Sequence, residues 1–378
     1  MNNDAKKVIN LTEKEEALDF FKKQKESDKW VRCNVSDLIA VPIPPAPVVA
    51  SLIKDQLEIN NSPDEIVEAI EEMGFLVSYP GEEKRQNGLL RYTATGSAFE
   101  RGLIKGSIFK KLSAEDTCEI LNKCYACEKD SKALILYRDE KISAIHSGDE
   151  SDYSVIPVFD LLNELTSYLD ATYPGYKMLS CSCTYEYVRA TFEIPDKKIA
   201  EELNKVLKKY NHPTLEGNPV ITFITSDAGM SAVKLYPYFK DKSGSTVNIG
   251  KPLQLTHKNR ASIEDFKVKL QQVYATLNEA PSLIEELVKT AIFNPEGCFK
   301  KVCKYLKLPK NESLDACDFF MCGVENTTAL DVYYALYEVL DLARKNGATP
   351  NRLINIEEAI ARSLFIKWDE FDHPFEWM

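Results

Sequence analysis

Acid–base and nucleophilic chemistry has few candidate residues in this sequence. The chain contains four histidines, His146, His212, His257 and His373. No G-x-S-x-G segment and no Ser-His-Asp or Cys-His arrangement accompanies them, so the sequence predicts no hydrolase-type nucleophile. His146 follows an apolar stretch and precedes an acidic loop with Asp149 and Asp152, which makes it the first place to look for an enzyme site. The alternative is a hydrogen-bonded structural histidine, and the pattern as a whole favours a protein that is not an enzyme.

Cysteine and acidic residues could bind a metal, but their spacing is poor. Cys124 and Cys127 form a CxxC pair, whereas zinc sites of this kind need a second pair or paired histidines. Both lie on the apolar stripe that Ile120 begins in a predicted helix, where reduced cysteines act as small hydrophobic side chains. The acidic loop 148–152 lacks the spacing of a calcium loop, and the glycines near residue 100 form no phosphate-binding motif. We therefore expect no metal and no cofactor.

Lysines interleaved with aromatic residues are typical of single-stranded nucleic-acid binding, and two segments have this pattern. The first supplies the candidate nucleic-acid-binding residues Lys234, Tyr236, Tyr238, Lys240 and Lys242. The second lies at 300–310 and contains Lys301, Lys304, Tyr305 and Lys307. Each pattern also fits an ordinary strand edge or helix face, and this alternative stays open.

Composition limits the class of protein. The 378 residues are 44% hydrophobic and 28% charged, with a net charge of -11, which is typical of a folded, water-soluble chain and excludes a disordered one. The acidic balance argues against general coating of a polyphosphate, although it is compatible with a local basic groove. No apolar stretch is long enough to span a membrane, and residues 1–25 resemble neither a signal nor a transit peptide. With ten cysteines and no secretory signal, we expect reduced thiols in a cytoplasmic protein that makes no membrane contact.

Periodicity predicts an α+β fold with three regions. Residues 1–86 should form a helical N-terminal arm with a proline-rich connector at 37–50, residues 87–260 a sheet-rich domain, and residues 261–378 a helical C-terminal third. Capping signals predict helix starts at Thr12, Ser62, Ser113, Asp196, Ser262, Ser282 and Thr328. Alternating apolar residues predict strands at 89–95, 133–137, 142–145, 179–194, 220–224 and 230–239. The partial segregation of strands and helices favours α+β over a doubly wound parallel sheet.

Several of these segments together resemble a known family. The hairpin at 133–147, the segment 153–157 and the helix at 158–169 are similar to a strand pair, short loop and helix of a phage/plasmid-like protein family of unknown function, the domain of unknown function 932 type. The segments 187–196, 220–238 and 326–337 are also similar to parts of that family, so the match spans about residues 87–345. The acidic loop 148–152 departs from it, because the family tends to be basic there. The resemblance implies residence on a phage, prophage or plasmid and supplies no catalytic residues.

Three functions are compatible with these observations. The first, which we expect, is a non-enzymatic mobile-element protein that contacts DNA or a DNA-replication or recombination partner. The second is an accessory factor that binds a host protein, for example to blunt a defence system, and the acidic balance and the aromatic tail with Phe371, Phe375 and Trp377 favour it. The third is an enzyme with an unrecognised site at His146. The sequence does not predict an oligomeric state.

Overall fold

The structure is a computed structural model of the chain. It describes residues 8–376 with the exception of residues 48–49, 106–108, 110, 216, 241–245 and 322–325, and of the side chains of Lys240 and Thr246. Among the helices in this part of the chain, none combines the length and apolar character needed to cross a bilayer.

The N-terminal region is not the helical arm that we predicted, because it contributes β1 to the larger sheet and further strands to the smaller one. The strands in chain order are β1 (Ile9–Leu11), β2 (Lys29–Asn34), β3 (Ile39–Pro42), β4 (Phe75–Tyr79), β5 (Gln86–Leu90), β6 (Lys132–Arg138), β7 (Lys141–Ser147), β8 (Lys177–Cys183), β9 (Val188–Glu193), β10 (Pro219–Thr225), β11 (Val233–Lys240), β12 (Thr246–Asn248) and β13 (Leu253–Leu255). The predicted extended connector therefore includes a strand, β3, which ends at Pro42 on a sheet edge, where proline is tolerated.

The C-terminal third is helical, as predicted. The helices in chain order are α1 (Lys14–Ser27), α2 (Ala50–Gln56), α3 (Pro63–Glu72), α4 (Tyr92–Arg101), α5 (Ala114–Cys127), α6 (Val158–Thr172), α7 (Lys197–Lys209), α8 (Ile263–Gln271), α9 (Val273–Lys289), α10 (Pro295–Tyr305), α11 (Lys310–Met321), α12 (Ala329–Lys345) and α13 (Pro350–Arg362). The helices α8 to α13 follow the last described strand, so strands and helices are partly segregated and the α+β class is confirmed.

The strands form two sheets. The larger sheet has the order β1-β8-β9-β10-β11-β12, with β13 also paired to β11, and its described pairs are antiparallel. The smaller sheet has the order β2-β6-β7-β5-β4-β3, in which only β5 and β7 run parallel among the described pairs. The strand β4, from the predicted N-terminal region, pairs with β5, which begins at residue 86, where that region was predicted to end. The predicted domain boundaries stay a prediction.

Helical periodicity explains the core of the larger sheet. In α6, Leu161, Leu165 and Leu169 recur every four residues, lie on one face and are fully buried. In α7, Ile199 and Leu203 are likewise four residues apart and buried. The Asp196 carboxylate caps this helix by accepting from the backbone N–H groups of Lys198 and Ile199. The helix starts predicted at Ser62, Ser113, Asp196, Ser262 and Thr328 are confirmed by these side-chain caps.

Five local predictions were wrong. The predicted strand 179–194 is two antiparallel strands, β8 and β9. The predicted strand 89–95 ends at Leu90 because Tyr92 begins a helix. Ser282 starts no helix, because α9 continues through that residue, with Pro281 inside it. The helix after Thr12 begins at Lys14, and its cap position, Glu13, makes no side-chain cap. In α5 the buried side chains are Thr117, Cys118, Leu121 and Tyr125, not the predicted stripe.

The cap of α12 provides a direct test of the helix boundaries. The Thr328 hydroxyl accepts the Asp331 N–H at 3.4 Å and donates to the Asp331 carboxylate at 2.7 Å, so Thr328→Ala should lower the free energy of unfolding by about 1 kcal/mol. Thr12→Ala is the matched control, because Thr12 is exposed and its hydroxyl caps no helix. Chemical denaturation measures both, and equal effects of the two substitutions would contradict the assignment.

Candidate functional site

A buried ion cluster joins the two sheets. The Arg138 guanidinium, at the end of β6, donates from Nε to Asp28 Oδ1 at 2.7 Å and from Nη2 to Asp28 Oδ2 at 2.5 Å. Nη2 also donates to Asp227 Oδ2 at 2.7 Å. The side chains of Arg138, Asp28 and Asp227 are 6%, 7% and 8% exposed. Since Asp227 lies in the β10–β11 connection, this cluster ties the edge of the smaller sheet to the larger one.

A column of three stacked rings, flanked by Trp30, lies beside the ion cluster. The His146 and Tyr153 ring centroids are 3.6 Å apart with an interplanar angle of 5°, and His257 lies 5.2 Å beyond Tyr153 at 6°. Trp30 lies beside the His146–Tyr153 pair, with its ring centroid 6.0 Å from that of His146 and 6.2 Å from that of Tyr153. The Asp227 carbonyl accepts from His146 Nε2 at 2.8 Å and from the Tyr153 hydroxyl at 3.2 Å. The same residue therefore holds the ion cluster through its side chain and the column through its backbone.

The column histidines are neutral at neutral pH. Burial lowers the pKa of His146 to about 4, and burial also lowers the pKa of His257. A carbonyl can only accept, so His146 Nε2 and His257 Nδ1 carry the protons that they donate to the Asp227 and Ser154 carbonyls. His257 Nε2 is buried without a hydrogen-bond partner within the described residues.

Asp149 and Asp152, which the sequence placed beside His146, stabilise their own loop instead. Asp149 accepts the Ser151 N–H at 2.9 Å, and Asp152 accepts the Ser147 hydroxyl at 2.8 Å. The acid that the fold brings to His146 is Asp227. Across the described ranges, no group of three or more His, Cys, Asp or Glu side chains is arranged to hold a metal ion.

The remaining two histidines lie away from the column. His212 Nδ1 is 3.6 Å from the Asp331 carboxylate, and His373 Nε2 contacts the Lys301 ammonium. Neither contacts a residue of the ion cluster in the part of the chain that the structure describes.

The first lysine/aromatic segment is packed against α13. The Lys234 ammonium forms a 2.5 Å ion pair with Glu358, and both side chains are less than one fifth exposed. Tyr236 and Tyr238 are 3% and 1% exposed and cluster with apolar residues of α13. Lys242 and the side chain of Lys240 lie outside the described residues. Nucleic-acid contact through this segment stays a prediction. Its two tyrosine rings are covered by α13.

The second lysine/aromatic segment borders an open groove of about 600 Å³, which we call the C-terminal groove. Its aromatic lining is Tyr305 at the end of α10, Phe365 just after α13, and Phe371. Tyr305 is 62% and Phe365 45% exposed, so both rings present surface to solvent. Exposed rings of this size need an explanation because they carry a large apolar surface into water.

Cations surround the C-terminal groove. The Lys301 ammonium lies 5.3 Å from the Phe371 ring centroid, and the Lys304 ammonium lies 5.2 Å from that of Phe375. Arg362 lines the groove, and Lys307 is exposed two residues beyond Tyr305. The cations Lys304, Lys307 and Arg362 have no ion-pair partner among the described carboxylates, whereas the Lys301 ammonium donates to the Glu370 carbonyl at 2.7 Å and contacts His373 Nε2. Only Lys367 is paired there, with Glu370 at 3.3 Å, so the groove carries positive charge available to a ligand.

Sequence reasoning missed the ion cluster. Arg138 lies 110 positions from Asp28 and 89 positions from Asp227. Residues 138–141 have the pattern of a hairpin turn, and the positive φ angles of 50° and 60° at Asp139 and Glu140 confirm that turn. No local signal distinguishes Arg138 from an ordinary residue beside a turn.

Comparison with known proteins identifies no relative of this chain. No protein-family model matches it, and neither a curated protein nor a solved structure shows significant similarity.

Removal of the Arg138 guanidinium should be costly. Arg138→Leu leaves two buried carboxylates without a counter-charge, which we expect to lower the free energy of unfolding by about 3–5 kcal/mol. The triple variant that adds Asp28→Asn and Asp227→Asn should recover much of this loss. Arg32→Leu is the control, because Arg32 is 40% exposed and its 3.6 Å pair with Glu150 should contribute less than about 1 kcal/mol. A loss for Arg138→Leu as small as that of the control would contradict a stabilising role.

Neutral His146 should make the fold sensitive to acid. Its folded-state pKa of about 4 lies below the ~6.5 of an unfolded histidine, so between these values the unfolded chain binds more protons. Its contribution is complete above pH ~6.5 and is lost as the pH falls to about 4, by up to ~3 kcal/mol. His146→Phe retains a stacked ring and should flatten the profile of unfolding free energy in this window. An NMR titration midpoint for His146 near 6.5 would show that the ring is not held neutral by the fold.

Proposed function

We propose that this protein binds single-stranded nucleic acid in the C-terminal groove. The observation that carries the proposal is the combination of the exposed Tyr305 and Phe365 rings with Arg362 in the same groove and with Lys304 and Lys307 next to Tyr305 and Leu306 in the chain. Single strands expose base faces that stack on aromatic side chains, and their phosphates attract lysine and arginine. A groove with both features matches the two surfaces of such a strand.

The charge distribution supports a local interface. The chain as a whole has a net charge of -11, which disfavours nonspecific coating of nucleic acid by its other surfaces. Arg362, which has no carboxylate partner among the described residues, lines the groove, and Lys304 and Lys307 flank its lining residues Tyr305 and Leu306 in the chain. With about three phosphates neutralised, the logarithm of the binding constant should fall with the logarithm of salt concentration with a slope of roughly -2.

The groove is a better candidate than the segment at Lys234. Stacking requires a ring face that a base can reach, and Tyr236 and Tyr238 are buried under α13. Lys234 already has a carboxylate partner in Glu358. The contact therefore belongs to the second lysine/aromatic segment, of which Tyr305 is the exposed ring.

The setting in this proposal is a mobile element. This setting rests on the resemblance of residues 87–345 to the phage/plasmid-like family. A groove that binds single strands is compatible with a DNA-handling, non-enzymatic role in the bacterial cytoplasm. Replication and recombination both expose single strands, so a factor of either process would meet this ligand.

Fluorescence anisotropy of a labelled oligothymidylate, titrated with protein at low and physiological salt, tests the proposal. We expect saturable binding that weakens with salt. Tyr305→Ala and Phe365→Ala remove exposed rings and should each weaken binding about tenfold, since one stacked base contributes about 1–3 kcal/mol. Neither substitution removes a buried side chain, so the fold should be retained.

A matched charge control separates the groove from general electrostatics. Lys304→Ala with Lys307→Ala should weaken binding and reduce the salt slope, whereas Lys197→Ala with Lys198→Ala removes two exposed lysines from α7 and should have little effect. Lys240→Ala with Lys242→Ala tests the first segment in the same assay. Flat titrations at low salt, or equal effects of the groove and α7 variants, would overturn the proposal.

A further inference from the structure

A small pocket lies at the junction of the two sheets and has no part in the proposed nucleic-acid groove. We call it the junction pocket; its volume is about 170 Å³. Its charged lining is the ion cluster of Asp28, Arg138 and Asp227 together with Lys25, and its aromatic lining is Phe21, Trp30 and Phe159. These residues come from α1, β2, β6, α6 and the β10–β11 connection, so the pocket exists only in the assembled fold.

The junction pocket carries an uncompensated negative charge. Asp28 takes two hydrogen bonds from Arg138, which forms a neutral, bidentate pair. Asp227 shares the same guanidinium through Oδ2 only, and Oδ1 accepts no hydrogen bond within the described residues. Asp227 is 8% exposed and lines the pocket, so Oδ1 can accept a hydrogen bond from a ligand there.

The neighbouring lysine does not neutralise this charge. Lys25 lines the pocket, but its ammonium donates to the two oxygens of Asp160 at 2.7 Å and 2.9 Å and so forms a separate neutral pair. The same ammonium lies 5.7 Å from the Phe159 ring centroid, so this ring already has a cation on one side. One anionic charge surrounded by three aromatic side chains is an environment that favours a cation.

We propose that the junction pocket binds the ammonium group of a small organic cation, with the primary ammonium donating to Asp227 and the alkyl part against Phe21, Trp30 and Phe159. The volume accommodates roughly five or six non-hydrogen atoms, if each occupies about the ~30 Å³ of a water molecule. The ligand class is therefore a short alkylamine or the end of a longer one. An anion is excluded by Asp227, and a neutral alcohol leaves the net charge in place.

The proposal can be tested by calorimetric titration of the full-length protein with n-butylammonium chloride. We expect one site in the ~millimolar range, as is usual for a ligand of about five heavy atoms. Butan-1-ol has the same number of heavy atoms and no charge, and butyrate has the opposite charge, so both should bind at least tenfold more weakly. Tyr305→Ala should leave ammonium binding unchanged, because Tyr305 lies in the C-terminal groove.

Two variants locate the site. Asp227→Asn removes the net charge while the Asp28–Arg138 pair remains, and it should weaken n-butylammonium binding at least tenfold. Asp130→Asn is the matched control, because Asp130 is exposed and outside the pocket, and it should bind as the parent does. Phe159→Leu keeps the apolar contact but removes the aromatic face, and we expect a loss of several-fold.

The fold of each variant is checked by its circular dichroism and thermal transition, and saturating ligand should raise the Tm of the parent but not that of Asp227→Asn. Butan-1-ol binding as tightly as n-butylammonium, or unchanged binding by a folded Asp227→Asn protein, would overturn the proposal. The absence of any heat or Tm shift at ligand concentrations well above millimolar would do so as well.

Discussion

The shared guanidinium of Arg138 is the constraint on which the arrangement of the two sheets depends. A buried charge is tolerated only when its partners are positioned well, because the cost of desolvation is large. Arg138 therefore requires that the end of α1, where Asp28 lies, and the β10–β11 connection with Asp227 meet at the end of β6. The stacked column adds a second requirement at the same place, since the Asp227 carbonyl accepts from both His146 and Tyr153. The junction pocket is the space left between these groups.

The contact between the larger sheet and α13 also contains buried charges, and these are paired as well. Arg189 on β9 makes a two-point pair with Glu357, and Lys234 on β11 pairs with Glu358. The Arg189 charge and its hydrogen bonds hold the pKa of the buried Glu357 carboxyl below its usual range. These pairs allow a charged helix face to cover Tyr236 and Tyr238. The lysine/aromatic alternation of β11 is thus explained by an internal interface.

The two proposed binding sites differ in the sign of their charge. The junction pocket has a carboxylate oxygen without a hydrogen-bond partner among the described residues in a space of about 170 Å³, which suits a small cation. The C-terminal groove has unpaired cations beside exposed rings in an open space, which suits a polyanion with flat bases. The cysteines that the structure describes line neither site. Burial raises the pKa of the Cys181, Cys298 and Cys303 thiols to about 12, so these thiols remain protonated and pack as apolar groups.

The sequence by itself determined the local features of this protein. The caps at Ser62 and Thr328, the 138–141 turn and the α6 leucine stripe could all be predicted, because each depends on groups only a few residues apart. Tertiary structure alone decided which side of α5 is buried. Tyr125 rather than Ile120 faces inward, and the Tyr125 hydroxyl donates to the Ala98 carbonyl. It also decided that Tyr238 is covered while Tyr305 is exposed, and that Asp28 and Asp227 share one arginine. Burial and charge pairing depend on segments that lie many positions away in the chain, and no local pattern contains that information.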